Sequence, residues 1–296
     1  MKTKTGLLFF VLLFCISDIS AAANIGGIIN QDMTLKTSES PYDLTSNMEI
    51  GEGVTVTVEP GVLLNAAGGN IGLFGGSLII AGTADNKVQI EGGVSFSSAI
   101  YKQSTLNVDH CRINGLKYAN FMGINLSIKN SEIIRSKGFS GQISIGYPLS
   151  DPLIEKNILI GIFGCIGDAN NKYLRFTDNI FYGQSGACGT LNMVFLNNSF
   201  LSPSLPFAVC NYVFDLKNNY WGTTDIALIE DRIKDRSDTL DCSNRADYQP
   251  ILLAPHPDTP AFDPEKYTDF PVAQYMTSPN AMADIIRRLQ VLSGLR

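Results

Sequence analysis

Four carboxylates stand along the middle of this 296-residue chain, Asp109, Glu132, Glu155 and Asp178, with Lys129 and Lys156 among them. Carboxylates gathered on one face could hold Ca²⁺, and a basic residue beside them could take the proton next to a substrate carboxylate, which is lyase chemistry. Two or three of them set across a glycosidic bond would give acid–base hydrolysis instead. The spacing supports neither arrangement. Measured against the repeat described next, the four acids scatter over three columns and the lysines intrude between them. The expected outcome is a solvated face of ion pairs, and no catalytic residue is assigned. No Ser–His–Asp or Cys–His arrangement is suggested by spacing either. With only two histidines, His110 and His256, and no metal-type spacing, neither a metal site nor a cofactor is expected.

The elements that would have to position such groups come from a repeat between Leu106 and Trp221. Val108, Ile128, Ile154, Phe176, Phe195 and Leu216 lie 20, 26, 22, 19 and 21 residues apart. Two residues before these anchors stand Leu106, Leu126, Pro152, Leu174, Met193 and Phe214. Five residues after them stand Ile113, Ile133, Leu159, Phe181, Phe200 and Trp221. Apolar residues two apart, with a third apolar column beyond a bend, describe short strands of period two. The period is too short for two-helix repeats. Strands of this length cannot bury a face alone, so each coil must stack on the next at about 4.8 Å. The fold class is therefore all-β, a single-stranded parallel β-helix.

The third position after each anchor reads Cys111, Ser131, Asn157, Asn179, Asn198 and Asn219. This predicts an asparagine ladder, with Asn157, Asn179, Asn198 and Asn219 each in the left-handed conformation. Each would give its amide to the carbonyl of the same residue one coil away. The column one after the anchor (Asp109, Lys129, Glu155, Thr177, Leu196, Lys217) and the next (His110, Asn130, Lys156, Asp178, Asn197, Asn218) mix charges. Pairs along this solvent face are expected to contribute about 0–1 kcal/mol each.

Residues 1–23 read as a secretory signal peptide: Lys2 and Lys4, an apolar run over 7–16, then Ala21-Ala22-Ala23. The run is short for a bilayer span, and Phe14 before Cys15 is a poor fit to lipid attachment. The mature chain is expected to be secreted, periplasmic or held at the cell surface, with no transmembrane span. Losing Lys2, Lys4 and Asp18 takes the formal charge from −6 to −7, which argues against nucleic acid and anionic membranes as partners.

Residues 24–50 are expected to form an N-terminal cap over the open first coil, and 51–225 the β-helix. A C-terminal helix and edge strand should occupy 226–254. Asp225 is the expected N-cap, Ile226, Ile229 and Ile233 share a helical face, and Glu230 pairs with Lys234. Over 255–296 a Pro-rich linker, stiff and outside the core, should precede an amphipathic helix carrying Met282, Ile285, Ile286 and Leu289.

Val54–Val58 with Glu59-Pro60-Gly61-Val62, followed by Gly76–Asp85, resembles the opening coils of exported bacterial right-handed β-helix proteins. Asn218–Asp225, Ile229–Asp235 and Tyr248–Leu252 resemble the C-terminal end of the same group. The resemblance covers about residues 50–255. It implies a right-handed coil and export, beside the pectin-lyase-like superfamily, in a group mostly of undefined function. Polygalacturonases of that architecture carry an Arg-Ile-Lys motif, and Arg232-Ile233-Lys234 matches it literally. Here it lies in the expected end helix, and the companion Asn-Thr-Asp, Asp-Asp and Gly-His-Gly motifs are absent.

Five cysteines follow the signal segment. Cys165 and Cys188 fall 11 and 12 residues after their anchors, so they should lie almost directly above one another. Cys210 rejoins that column after an outward loop, and Cys210–Cys242 is a further candidate pair. A disulfide among Cys165, Cys188, Cys210 and Cys242, or a stack of buried thiols, both fit. The expected function is non-catalytic, an exported surface or scaffold that binds an extracellular polysaccharide or a cell-surface component. Tyr118, Phe121, Tyr147, Tyr173 and Tyr182 lie outside the apolar columns and are available either to stack on sugar rings or to pack their own loops. The alternative is a polysaccharide lyase or glycoside hydrolase of the same fold.

Overall fold

Alternating side chains set the strands: in Ile124–Lys129, Ile124, Leu126 and Ile128 are buried while Asn125, Ser127 and Lys129 stay partly exposed, as a pleated strand requires. The computed structural model describes residues 21–167, 171–183, 185–189, 193–202, 207–209, 215–235, 237 and 245–267, without the side chains of 188, 189 and 207–209. Its short strands stack in parallel into a β-solenoid of about eight turns.

The coil has three faces. The first is an eight-stranded sheet whose strands follow in chain order from Met33–Leu35 to Met193–Leu196, one per coil. The second and third belong to one sixteen-stranded sheet, and Cys111–Met122 shows how it bends. The first part of that strand pairs with Val88–Glu91 and Glu132–Arg135, the remainder with Val94–Ser98 and Gln142–Gly146.

The anchor residues meet in register, Val108 on Ile128, Ile128 on Ile154, Ile154 on Phe176 and Phe176 on Phe195. The second apolar column does the same, from Ile113 on Ile133 through Leu159 and Phe181 to Phe200. Stacking at the strand spacing brings like rings face to face. Phe176 and Phe195 have centroids 4.9 Å apart, Phe181 and Phe200 5.0 Å, and Phe200 and the fully buried Trp221 4.4 Å. Gly164 admits this packing, because a Cβ there would lie 2.5 Å from the Phe176 ring.

The anchor column continues upstream through Ile80 and Val58 to Leu35. Strands within residues 24–50 thus pair in register with the coils that follow. Met33–Leu35 and Tyr42–Ile50 build a coil, and Ala23–Ile29 pairs in parallel along the latter.

Asn157, Asn179, Asn198 and Asn219 are fully buried. Nδ2 of each of the first three donates to Oδ1 of the next at 3.0 Å. The backbone N–H groups of the same three residues donate to the same oxygens at 2.9, 2.9 and 2.7 Å. Each amide also reaches back one coil, to the carbonyls of Ile128, Ile154 and Phe176. The expectation of a left-handed Asn needs correction by one residue. Positive φ belongs to the column before, at His110, Asn130, Lys156, Asp178, Asn197 and Asn218, with φ between 48° and 60°. That residue makes the bend, and the next side chain is thereby aimed inward. The acceptor is, as expected, the carbonyl oxygen of the same-column Asn one coil on, here its side-chain Oδ1.

The C-terminal helix spans Ile226–Arg232, and Asp225 caps it by accepting the Ala227 N–H. It stops before Lys234, because Ile233–Lys234 pairs as a strand with Phe207–Val209, and Glu230 accepts the Tyr248 hydroxyl instead. Of the expected edge strand near 246–253, the structure shows one bridge, Asp215 with Asp247. The helix expected over 278–289 lies outside the described residues.

The Pro-rich stretch departs most from expectation. It is not a plain extended linker: it turns at His256–Thr259, forms a 3-10 helix over Pro264–Tyr267, and lies against the solenoid. Phe262 and Tyr267 join Ile134, Ile158, Ile160, Ile180 and Tyr182 in a second apolar cluster outside the coil. The second-face strands carry apolar residues on both sides, so the tail covers a surface that the coils leave bare.

The asparagine stack predicts its own cost of removal. Asn179→Ala strips the acceptor from the Asn157 N–H and Nδ2 inside a dry core. It should lower unfolding stability in urea by about 2–4 kcal/mol, against under about 1 kcal/mol for Asn130→Gly, which keeps the left-handed bend and loses only a partly exposed hydrogen bond. Equal effects at the two positions would contradict this account of the core.

Candidate functional site

Most acids of the outer columns are tied to cations across coils. Glu155 lies 3.2 Å from Lys129, Glu132 2.6 Å from Lys87 and 3.7 Å from Arg112, and Asp151 3.1 Å from Arg175. Asp109 takes the Asn130 amide at 2.8 Å. The Tyr173 backbone N–H, with Arg175 assisting, holds the Asp151 carboxyl below its ordinary range. Half-exposed pairs of this kind contribute little to stability, and none forms a carboxylate dyad.

Asp178 is different. Its side chain is 8% exposed, and Oδ1 lies 3.2 Å from Nδ1 of His256. Asp258 brings Oδ2 to 3.8 Å from the same nitrogen, while its Oδ1 lies 3.6 Å from Nζ of Lys156. Two carboxylates, an imidazole and an ammonium thus meet where the tail crosses the bends of two coils. Asp178 and His256 are 78 residues apart, a separation unrelated to the repeat. His256 opens a turn of the tail, which Phe262 (5.1 Å from Tyr182) and Tyr267 (hydroxyl 3.4 Å from Glu132) anchor further along.

An open cleft of about 410 Å³ lies beside the C-terminal helix, lined by Glu230, Asp235, Arg245 and Tyr248 among others. Asp235 is committed to structure there. Burial alone would raise its carboxyl, but hydrogen bonds from Ser237 and from the Ala246 N–H hold it below the ordinary value. The Arg-Ile-Lys match is structural as well, since Arg232 donates to the Trp221 carbonyl and steadies the last turn.

Of the aromatic candidates, Phe121 is buried in the core and cannot meet a ligand. Tyr182 packs against the tail. Tyr118, Tyr147 and Tyr173 are exposed. Tyr147 and Tyr173 occupy the corner where the third face turns into the first, with Leu149 exposed beside Tyr147 and Phe74, Ile100 and Tyr101 exposed at the same corner of other coils. Tyr101 is 91% exposed, and sequence reasoning missed it. The Arg175 guanidinium lies 5.9 Å from the Tyr173 ring centroid.

Cys165 is disulfide-bonded, and Cys188 is the residue in register with it on the next coil. The side chain of Cys188, and Cys210 and Cys242 altogether, lie outside what is described. Cys111 is free and buried, and burial pushes its thiol far above the ordinary value.

Two expected outcomes follow from the tail and from Cys111. Burial, with Glu132 beside it, raises the Tyr267 hydroxyl from 10.0 to about 12. Its contribution is complete below pH 10 and is lost as pH climbs through 12. Denaturation midpoints of wild type and Tyr267→Phe should therefore differ by a constant up to pH 10 and converge toward pH 12. Native protein should also leave Cys111 unalkylated by iodoacetamide until it unfolds; rapid labelling would show that the coil opens there.

Comparison with known proteins gives no further lead, since no protein-family model, no curated protein and no solved structure matches this sequence.

Proposed function

We propose that this is an exported β-helix protein that binds an extended polysaccharide along its surface without cleaving it. The carrying observation is the corner bearing Phe74, Tyr101, Tyr147 and Tyr173, aromatic side chains exposed on a rigid edge whose coils repeat at about 4.8 Å. A tyrosine offers an apolar face and a polar tip, which suits a ring carrying hydroxyl groups. Such a row on a stiff scaffold costs little ordering entropy on binding.

Export is supported by the charged, apolar and small-residue sequence of 1–23 and by the disulfide at Cys165, a bond that persists in oxidising compartments. The resemblance of residues 50–255 to pectin-lyase-like β-helix proteins agrees with that setting. Non-catalytic action is supported by the pairing of Glu132, Glu155 and Asp151 with cations.

One observation favours the lyase or hydrolase reading, the meeting of Asp178, Asp258 and His256. A single screen decides between them. Purified protein is assayed on acidic and neutral polysaccharides for binding and for new reducing or unsaturated ends. Binding without cleavage is expected, with Tyr147→Ala and Tyr173→Ala each weakening it about tenfold. Cleavage that vanishes in Asp178→Asn or His256→Gln would establish the enzymatic reading instead.

A further inference from the structure

Oδ1 of Asp178 is shut off from water, and no hydrogen-bond donor satisfies it. Nδ1 of His256 lies 3.2 Å away, and its one lone pair is met by the Asp258 backbone N–H at 3.3 Å, a long contact that metal coordination would replace. Two electron-rich atoms facing one another at this distance, one of them buried, need a positive centre between them, a proton or a metal ion. The donor atoms of Asp178, His256 and Asp258 all lie within 4.8 Å of one another.

We propose that these three residues form a Zn²⁺ site that bolts the tail to the solenoid. One imidazole nitrogen and two carboxylate oxygens suit zinc better than Ca²⁺ or Mg²⁺, which take oxygen ligands. Donors about 2.0–2.1 Å from a tetrahedral zinc are about 3.3 Å apart, and Asp178 and His256 stand at 3.2 Å. Asp258, the exposed member, has room to close in from 3.8 Å. A fourth position is left for water.

Asp178 comes from a coil bend, whereas His256 and Asp258 come from the tail. The site exists only when the tail is docked, so zinc binding and docking reinforce each other. Lys156 opposes the ion. Its ammonium lies 3.6 Å from the other Asp258 oxygen, a like charge close to the metal position. The site stands independently of the carbohydrate reading.

The test uses untagged full-length protein, treated with a chelator, dialysed and titrated calorimetrically with Zn²⁺, and in separate arms with Ca²⁺ and Mg²⁺. One Zn²⁺ per chain is expected, and a hundredfold excess over Kd should raise the melting temperature by about 5 °C. It should also slow tryptic cleavage at Lys266. Asp258→Asn and His256→Gln should weaken zinc binding at least tenfold, and both positions are accessible enough to change without unfolding the coil. Lys156→Met should tighten it several-fold, an effect that a plain ion pair would not produce. The proposal is overturned by the absence of a stoichiometric zinc site, by a preference for Ca²⁺ or Mg²⁺, or by zinc binding indifferent to Asp258→Asn and His256→Gln.

Discussion

A chain that bends into the same corner once per coil must satisfy the polar atoms of each bend inside a dry core, and the buried asparagines meet that requirement. Each amide holds three coils together, accepting nothing from water and leaving no backbone donor behind it. The geometry works only if the preceding residue is left-handed, which is why Asn, Asp and His are common there and why Lys156 stands out. Once the bend is fixed, the strands on either side have one register, because slipping by one residue would turn the anchors outward. Aromatic stacking from Phe176 to Trp221 is a result of that register and not its cause.

The same regularity limits what chemistry the walls can host. Identical positions on successive coils are close neighbours, so a charge on one coil meets whatever the repeat places above it, and here that is usually its opposite. A constellation of several functional groups needs something to break the repeat. In this protein the crossing tail does so, delivering His256 and Asp258 to a coil that could not supply them.

The coil was legible because its signal is local and repeated: apolar residues two apart, recurring at a spacing that stacks strands. Anchors from Val108 to Leu216 are all buried, and the upstream pairs Val56–Val58 and Leu78–Ile80 belong to the same columns. The docked tail was harder to read. Its prolines implied an extended linker, where the structure has a turn and a 3-10 helix, and composition says nothing about what such a segment lies against. A signal was nevertheless present. Ile158-Leu159-Ile160 and Ile180-Phe181-Tyr182 are apolar on both sides of the pleat, which a strand with one wet face has no reason to be. The Asp178–His256 contact had no comparable sign, since neither residue is unusual and their separation matches no period.

The docked tail also sets an order of assembly. Coil contacts join residues roughly one repeat apart, whereas Tyr267 reaches Glu132 across 135 positions of chain. Coils can zip together from nearest neighbours as the polypeptide becomes available. The flank formed by Ile134, Ile158, Ile160 and Ile180 must then wait, greasy and uncovered, for the last part to arrive. During that interval the nascent molecule is most prone to stick to its own kind, and whatever truncates the C-terminus would make that interval permanent.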